Sequence, residues 1–269
     1  MKRFVILGHK TPLTSDFHLN DLPGAAGRID VLCRAIGASL FLSHGMRRDV
    51  EVNLLLQDRV RIRIPGDRVK RLNPDERSTA ALIKHALKAL EEGKRQGTPG
   101  IYVSEENLGG LLGILETETA TPIVLHETGI PVDSYVFPEH PAFILSDHMD
   151  FTVDEEMALA GYDRISLGKN ILHTSQAITI AHYVMDQREE DREAELVLAH
   201  TIWDETQAQM IKSLLEDFEI PSNLMMQAPP SLYPMAVDGM AEVRIMVRPR
   251  DLERAHRIIT DYFDSPTEL

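Results

Sequence analysis

Four arginines, Arg28, Arg34, Arg47 and Arg48, follow closely on the glycine-rich loop "DLPGAAGR". Guanidinium groups grip phosphate oxygens through paired donors, and loop glycines let a backbone approach a ligand closely, so this tract suits a phosphate-bearing ligand. It also carries two carboxylates, Asp21 and Asp30. Asp30 and Arg34 stand one helical turn apart, which a plain surface ion pair would also explain. A second stretch, "SLGKNILHTSQAITIAHYVMD" from Ser166 to Asp186, joins a small polar loop to an apolar run. Local pattern reads that run either as a buried helix or as half of a cofactor site.

Several chemistries lack their signatures. No G-x-x-x-x-G-K-[ST] is present, nor a G-x-G-x-x-G after a strand, which argues against a nucleoside triphosphate or a nicotinamide dinucleotide. "FLSHG" lacks the first glycine of a nucleophile elbow. None of the 11 histidines falls in H-E-x-x-H and no Cys/His cluster has zinc spacing, so no metal is expected. The single cysteine, Cys33, suits a reducing, cytoplasmic setting. The apolar run Phe4 to Leu7 is too short for a signal peptide, and no stretch is long enough to cross a bilayer.

The formal charge of −14 hides an asymmetry: residues 1–97 hold 18 Lys+Arg against 11 Asp+Glu, residues 98–190 hold 3 against 16, and residues 191–269 hold 7 against 15. A basic N-terminal third on an acidic chain is compatible with a nucleic-acid backbone, because binding depends on the local field.

These residues need elements to position them. Phe4 to Leu7 reads as a buried strand, and Arg28 to Leu42 as a helix burying Ile29, Leu32, Cys33, Ile36 and Leu40. "VEVNLLL" and "RVRIRI" flank Gln57-Asp58 as a hairpin, with Arg59, Arg61 and Arg63 alternating on one face of its second strand. "NPDERSTAALIKHALKALEEG" predicts a helix with Asn73 as N-cap, Pro74 at the first position, Glu76 completing a capping box and Gly93 as stop. "GIYVS", "PIVLHE" and "AFILSDH" are further strands separated by helical segments. The alternation predicts an α/β fold around a largely parallel sheet, whose ligand sits beyond the carboxyl ends of its strands. Those ends are "LHETG", "LSDHMDFT" and "SLGKN". After "DQREEDREAE", read as a solvated helix end or linker, the pattern restarts and predicts a second small domain.

"DFHLNDLPGAAGRIDVLCRAIGASLFLSHGMRRDVEV", "LNPDERSTAALIKHAL" and "SLGKNILHTSQAITIAHYVMD" together resemble the TrmY family of tRNA pseudouridine-54 N1-methyltransferases, in order and spacing from Met1 to about Asp186. The resemblance implies a SPOUT-type methyltransferase domain over residues 1–190, with a C-terminal trefoil knot around S-adenosyl-L-methionine, in a homodimer. It implies cofactor contacts at Leu125, Ser146, Leu167, Gly168, Lys169, Asn170, Ile171, Leu172 and Ala177. Many relatives of that family carry cysteine where this chain has Ala177, and glycine where it has Ser146. For base orientation and proton handling the resemblance directs attention to Asp30 and Asp21. Arg28, Arg34, Arg47 and Arg48 would grip phosphates, and Arg59, Arg61 and Arg63 either grip an RNA backbone or form a solvated sheet face. Asp75 and Arg77 read as helix-cap residues, His44 as a ligand contact or an ordinary hydrogen-bonding group, and His173 and His182 as structural.

Residues 195–269 resemble a small ferredoxin-like α+β family described as prokaryotic signal-transducing proteins, which implies a regulatory or partner-binding module, or a dimer contact. Three functions follow as alternatives: methylation of pseudouridine N1 in tRNA, the same chemistry on ribosomal or another structured RNA, and a non-catalytic sensor of the cofactor.

Overall fold

The computed structural model describes residues 1–226 and 242–264. The Pro/Met-rich loop expected before the last strand falls at 227–241, outside the described residues. The chain divides into two compact units, Met1–Tyr183 and Val184–Leu269.

The first unit opens with β1 (Lys2–Gly8), α1 (Ile29–Leu40), the short pair β2 (Phe41–Leu42) and β3 (Gly45–Met46), and the hairpin β4 (Val50–Leu56) and β5 (Val60–Pro65). Then come α2 (Glu76–Glu91), β6 (Gln96–Thr98), β7 (Ile101–Glu105), α3 (Leu108–Thr117), β8 (Thr121–Pro131), β9 (Pro141–Ser146), α4 (Val153–Leu159), β10 (Asp163–Ser166) and α5 (Thr174–Ala194). Eight strands form one sheet in the order β10-β8-β9-β1-β4-β5-β7-β6. The half from β10 to β4 is parallel, while β5, β7 and β6 pair antiparallel. The reversal begins at the β4–β5 hairpin, where Gln57 (φ 47°) and Asp58 (φ 53°) take the left-handed backbone that tight hairpins require.

Because side chains alternate along a strand, each face of this sheet needs its own cover. On one face Val5, Leu7, Leu55 and Ile144 pack against Leu108, Leu111, Leu112 and Leu115 of α3 and Leu159 of α4. On the other, Phe4 stacks on Phe143 with ring centroids 5.3 Å apart and meets the ring of His182 in α5 edge-on at 4.8 Å. α1 also lies against β1 and β4 and packs against α2. His182 donates from Nε2 to the Ser39 carbonyl at 3.0 Å, and Cys33 is buried.

The start of α2 differs from the expectation. Its N-cap is Asp75, whose carboxylate accepts the Ser78 N–H at 2.7 Å, and Glu76 is already helical. A carboxylate two residues nearer the helix satisfies the orphan N–H directly, so Asn73 and Pro74 remain in the preceding turn. Gly93 (φ 71°) follows the helix end as anticipated. The charged run after Asp186 continues α5 to Ala194.

The second unit has its own core. β11 (Val197–Ile202), α6 (Glu205–Asp217), β12 (Ser222–Met226), β13 (Val243–Val247) and α7 (Leu252–Asp264) form an antiparallel sheet of order β11-β13-β12 with two helices. Ile211 and Leu215 of α6 and Ala255 and Ile259 of α7 bury Ile245 and Val247. Among the described residues no helix is long and apolar enough to cross a membrane.

Candidate active site

The adjacent parallel strands β9, β8 and β10 bring their carboxyl-terminal parts to one place, as the strands of a parallel sheet do. A cleft opens there. β8 contributes through an interruption of its ladder: Arg164 of β10 pairs with Val124 but Ile165 pairs with Ile130, so Leu125 to Gly129 leave the register. Leu125, His126 and Glu127 of that bulge line the cleft. Ser146, Asp147, Met149, Asp150 and Phe151 line it from the end of β9 and beyond, and Leu167, Gly168, Asn170, Ile171 and Leu172 from the segment after β10. Thr174 and Ala177 complete it from the first turn of α5.

Eight of the nine positions expected around a cofactor therefore border one cleft; Lys169, between Gly168 and Asn170, does not. Gly168 (φ 141°) has a backbone that L side chains rarely adopt. Ser166 Oγ donates to the Gly168 carbonyl at 2.9 Å and accepts its N–H at 3.2 Å, closing the loop on itself. Thr174 Oγ1 donates to the carbonyls of Ser146 (2.8 Å) and Asp147 (3.1 Å), stapling the start of α5 to the loop after β9. Ser146 Oγ donates to the Met149 carbonyl within that loop.

Sequence reading missed a cluster of titratable groups beside the cleft. His9, the residue after β1, donates its backbone N–H to Asp147 Oδ2 at 2.9 Å, and its Nδ1 lies 2.9 Å from Asp147 Oδ1. Its Nε2 lies 3.0 Å from Glu155 Oε2. Two carboxylates facing the two ring nitrogens require a proton on each. The hydrogen bond to Asp147, then that to Glu155, outweighs burial and raises the His9 pKa to about 10. Burial opposes ionisation of Asp147 and Glu155, yet their bonds to His9 and to backbone N–H groups hold both below the usual carboxylate range. The available signal was position: His9 and Asp147 each follow directly on a parallel strand's carboxyl end.

The N-terminal arginines are organised by carboxylates. Asp30, only 3% exposed, accepts from Arg28 Nε (3.1 Å) and Nη2 (3.3 Å) and from Arg34 Nη2 (2.8 Å). Arg34 Nη1 also donates to Glu76 at 3.0 Å. Burial pushes the Asp30 carboxyl up, but the bonds from Arg28 and Arg34 more than compensate and hold it low. Asp21 closes its own loop by accepting the N–H groups of Gly24 (3.0 Å) and Ala25 (2.9 Å). Gly27 (φ 59°) is required by packing, since a Cβ there would lie 1.9 Å from the Lys10 carbonyl oxygen. Arg48 is exposed and donates to the Gly66 carbonyl at 2.9 Å, and Arg47 is half-buried. A groove lined by Cys33, Arg34, Glu76 and Ser175 adjoins α5, whose Thr174 and Ala177 border the cleft.

The expected row of three guanidiniums on β5 is different in the fold. Arg61 is buried, donating from Nε to Asn53 Oδ1 at 2.8 Å, and Arg63 donates to the fully buried Glu51 at 2.7 Å from Nε and 2.6 Å from Nη2. A buried carboxylate on the adjacent β4 draws both inward, because an unpaired charge there would be costly. This face is thus neither a solvated surface nor a free grip for phosphates. Arg59 precedes β5 and lies in a groove with Asp58, Glu91, Glu105 and Glu106, whose field disfavours a polyanion. His44 is exposed in the β2–β3 turn, His173 is exposed just before α5, and Arg77 Nη1 donates to Asn20 Oδ1 at 2.6 Å. Among the described residues no group of three or more His, Cys, Asp or Glu is arranged to hold a metal ion.

Residues 1–190 match the family model described as "Putative SAM-dependent RNA methyltransferase", and residues 197–262 match one described as "Putative prokaryotic signal transducing protein". The chain is 44% identical over 192 residues to the tRNA (pseudouridine(54)-N(1))-methyltransferase of Haloferax volcanii, covering 69% of this chain and 96% of that protein. It is 45% identical over 192 residues to the protein of that name from Halobacterium salinarum, with the same coverage. In fold it resembles the crystal structure of Archaeoglobus fulgidus Nep1 bound to S-adenosylhomocysteine, with a TM-score of 0.50 at 16% identity, covering 70% of this chain and 99% of that one.

Proposed function

This chain belongs to the SAM-dependent RNA methyltransferase family, and from that membership we propose that it methylates N1 of pseudouridine 54 in tRNA, using S-adenosyl-L-methionine. The observation that carries this reading is the cleft on which the bulge within β8 and the segments after β9 and β10 converge. Its lining suits the cofactor chemically: Leu125, Leu145, Leu167 and Leu172 offer apolar walls for a purine, and Glu127 and Asp150 offer carboxylates to a cationic sulfonium and ammonium. The backbone of residues 170–172 supplies N–H and C=O groups for adenine. When bound, S-adenosylmethionine supplies a methyl group already activated by its positive sulfur.

The protein's own task is then positioning. Leu125 and Leu172 exclude water, and the stapled loops hold the cofactor's methyl group in line with the base, which accounts for most of a barrier reduction. Arg28, Arg34, Arg47 and Arg48 engage RNA phosphates. Asp30 holds Arg28 and Arg34 in place, and its depressed pKa makes it a weak proton acceptor, so the N1 proton that the methyl group replaces is released to solvent water. Asp21 keeps the loop before α1 folded. The target base must leave its stack in a T-loop that tertiary pairing holds, so the RNA is remodelled on binding.

The same proposal includes knotted threading of the C-terminal part of residues 1–190, a homodimer and a partner-binding role for residues 195–269. Ile171, on the cleft rim, is 86% exposed, which favours cover by a second subunit. Light scattering on the purified protein tests the dimer. Methyl transfer from labelled S-adenosylmethionine tests the activity: tRNA carrying pseudouridine at position 54 accepts label at N1, and tRNA with uridine there does not. Transfer to the uridine form, to ribosomal RNA alone, or to no RNA despite cofactor binding would each overturn the proposal.

A further inference from the structure

We propose that His9 is a positioning residue for the cofactor cleft, acting through Asp147 to hold the Ser146–Phe151 loop in its ligand-ready shape; this rests on the reading of that cleft as the S-adenosylmethionine site. The argument begins with connectivity. β1 lies beside β9 in the sheet, and the Asp147 N–H still donates to the Leu7 carbonyl at 3.1 Å, one step past the last paired residue. Beyond that point the loop leaves the sheet, and backbone pairing no longer sets its course.

Asp147 takes over. Its carboxylate accepts from the His9 backbone, the His9 ring and the Met149 N–H, the last at 2.9 Å. The loop is thereby folded around one side chain that is 2% exposed, while its outer residues Met149, Asp150 and Phe151 line the cleft. The carbonyl of the same Asp147 receives Thr174 Oγ1, so the position of α5's first turn depends on it as well.

His9 supplies what Asp147 needs. Two of the three hydrogen bonds to its carboxylate come from His9, with the His148 ring farther off at 3.4 Å, and the other nitrogen of the His9 ring is anchored by Glu155. Glu155 Oε2 in turn accepts the Thr152 N–H at 2.7 Å, within the capping box of α4. The imidazolium thus ties β1, the loop after β9 and α4 into one unit beside the cleft. It does not itself line the cleft, and it bridges to a separate hollow on the Glu155 side. Without the ring, Asp147 would keep its backbone donors and the more distant, part-exposed His148 ring, whose Nδ1 lies 3.4 Å from Oδ2, and its buried negative charge would lose its shortest side-chain partner, which favours rearrangement of the loop.

Substitutions that separate the two ring bonds test this. His9→Asn places an amide N–H where Nδ1 meets Asp147, His9→Gln places one where Nε2 meets Glu155, and His9→Ala supplies neither. Calorimetric binding of S-adenosylhomocysteine and steady-state methyl transfer are measured for each full-length variant. The expected result is that His9→Ala and His9→Gln weaken binding about tenfold, equivalent to ~1.4 kcal/mol. KM for the cofactor rises by a similar factor, and kcat at saturation changes less than about threefold. His9→Asn recovers most of the lost affinity. A merely structural histidine would lower the melting temperature in all three without this ranking, and equal cofactor affinity in wild type and all variants overturns the inference. Should His9→Ala fail to fold, the comparison of His9→Asn with His9→Gln still decides. Wild-type protein that does not bind S-adenosylhomocysteine would instead refute the cofactor reading of the cleft.

Discussion

Replacing Asp30 by Asn distinguishes a residue that arranges guanidiniums from one that takes a proton. Asn keeps the volume and one acceptor oxygen but removes the charge that receives three N–H donors at 2.8–3.3 Å. Breaking a fully buried ion pair costs about 3–5 kcal/mol, whereas an exposed pair contributes about 0–1 kcal/mol. The site lies between these limits: the Asp30 side chain is 4% exposed, but those of Arg28 and Arg34 are 39% and 41% exposed. Water can therefore solvate the released guanidiniums, and a loss of ~2 kcal/mol follows. At roughly 2–4 °C per kcal/mol for a protein of this size, the melting temperature should fall by about 4–8 °C. If Asp30 acts by placing the arginines, tRNA affinity weakens and kcat at saturating tRNA stays within about threefold. Calorimetric melting, filter binding of tRNA and single-turnover methyl transfer measure the three quantities. A melting temperature within about 1 °C of wild type, unchanged tRNA affinity and a kcat loss beyond ~10²-fold, the size expected for a lost general base, would refute the reasoning.

Three further outcomes follow from the same geometry. The His9 pKa is raised from 6.5 to about 10, so its stabilising contribution is complete below about pH 6.5 and is lost as pH rises through about 10. Asp147 and Glu155 are held low, so theirs is present above the ordinary carboxylate range and lost as pH falls. Urea midpoints from pH 3 to 10.5 should form a plateau with two falling limbs, and His9→Asn should flatten the alkaline limb; an unchanged limb would contradict the assignment. Gly27→Ala forces a Cβ to within 1.9 Å of the Lys10 carbonyl oxygen at a left-handed φ, which costs more than the ~1 kcal/mol of the backbone conformation alone. Its melting temperature should fall, with RNA binding weakened through the displaced Arg28; an unaltered melting curve would show that the two loops do not pack this closely. Glu51→Gln leaves Arg3, Arg61 and Arg63 facing a neutral buried group and should destabilise by about 3–5 kcal/mol, with the salt dependence of tRNA binding unchanged. A shallower salt slope would restore these arginines as RNA contacts.

The amino-acid pattern alone determined a good deal. Apolar runs bounded by turn residues placed most strands of the first unit, the period of Ile29, Leu32, Cys33 and Ile36 gave α1, and Gln57-Asp58 located the hairpin, because these depend on near neighbours. The segments "LHETG", "LSDHMDFT" and "SLGKN" were legible as a ligand-binding edge for the same reason: the ends of parallel strands are read from strand order. Other features depended on neighbours distant in sequence. Arg61 and Arg63 look like a solvated basic stripe until Glu51 on β4 turns them inward, and Leu125 to Gly129 look like a loop at a strand's end until β10 pairs on either side of them and makes them a bulge within β8. The bond from His9 to Asp147 spans 138 residues, a separation at which no local period carries information. Local periodicity reports which face of an element is buried; only the packed sheet decides which charged groups meet, since a buried charge keeps its place only where a partner has been brought to it.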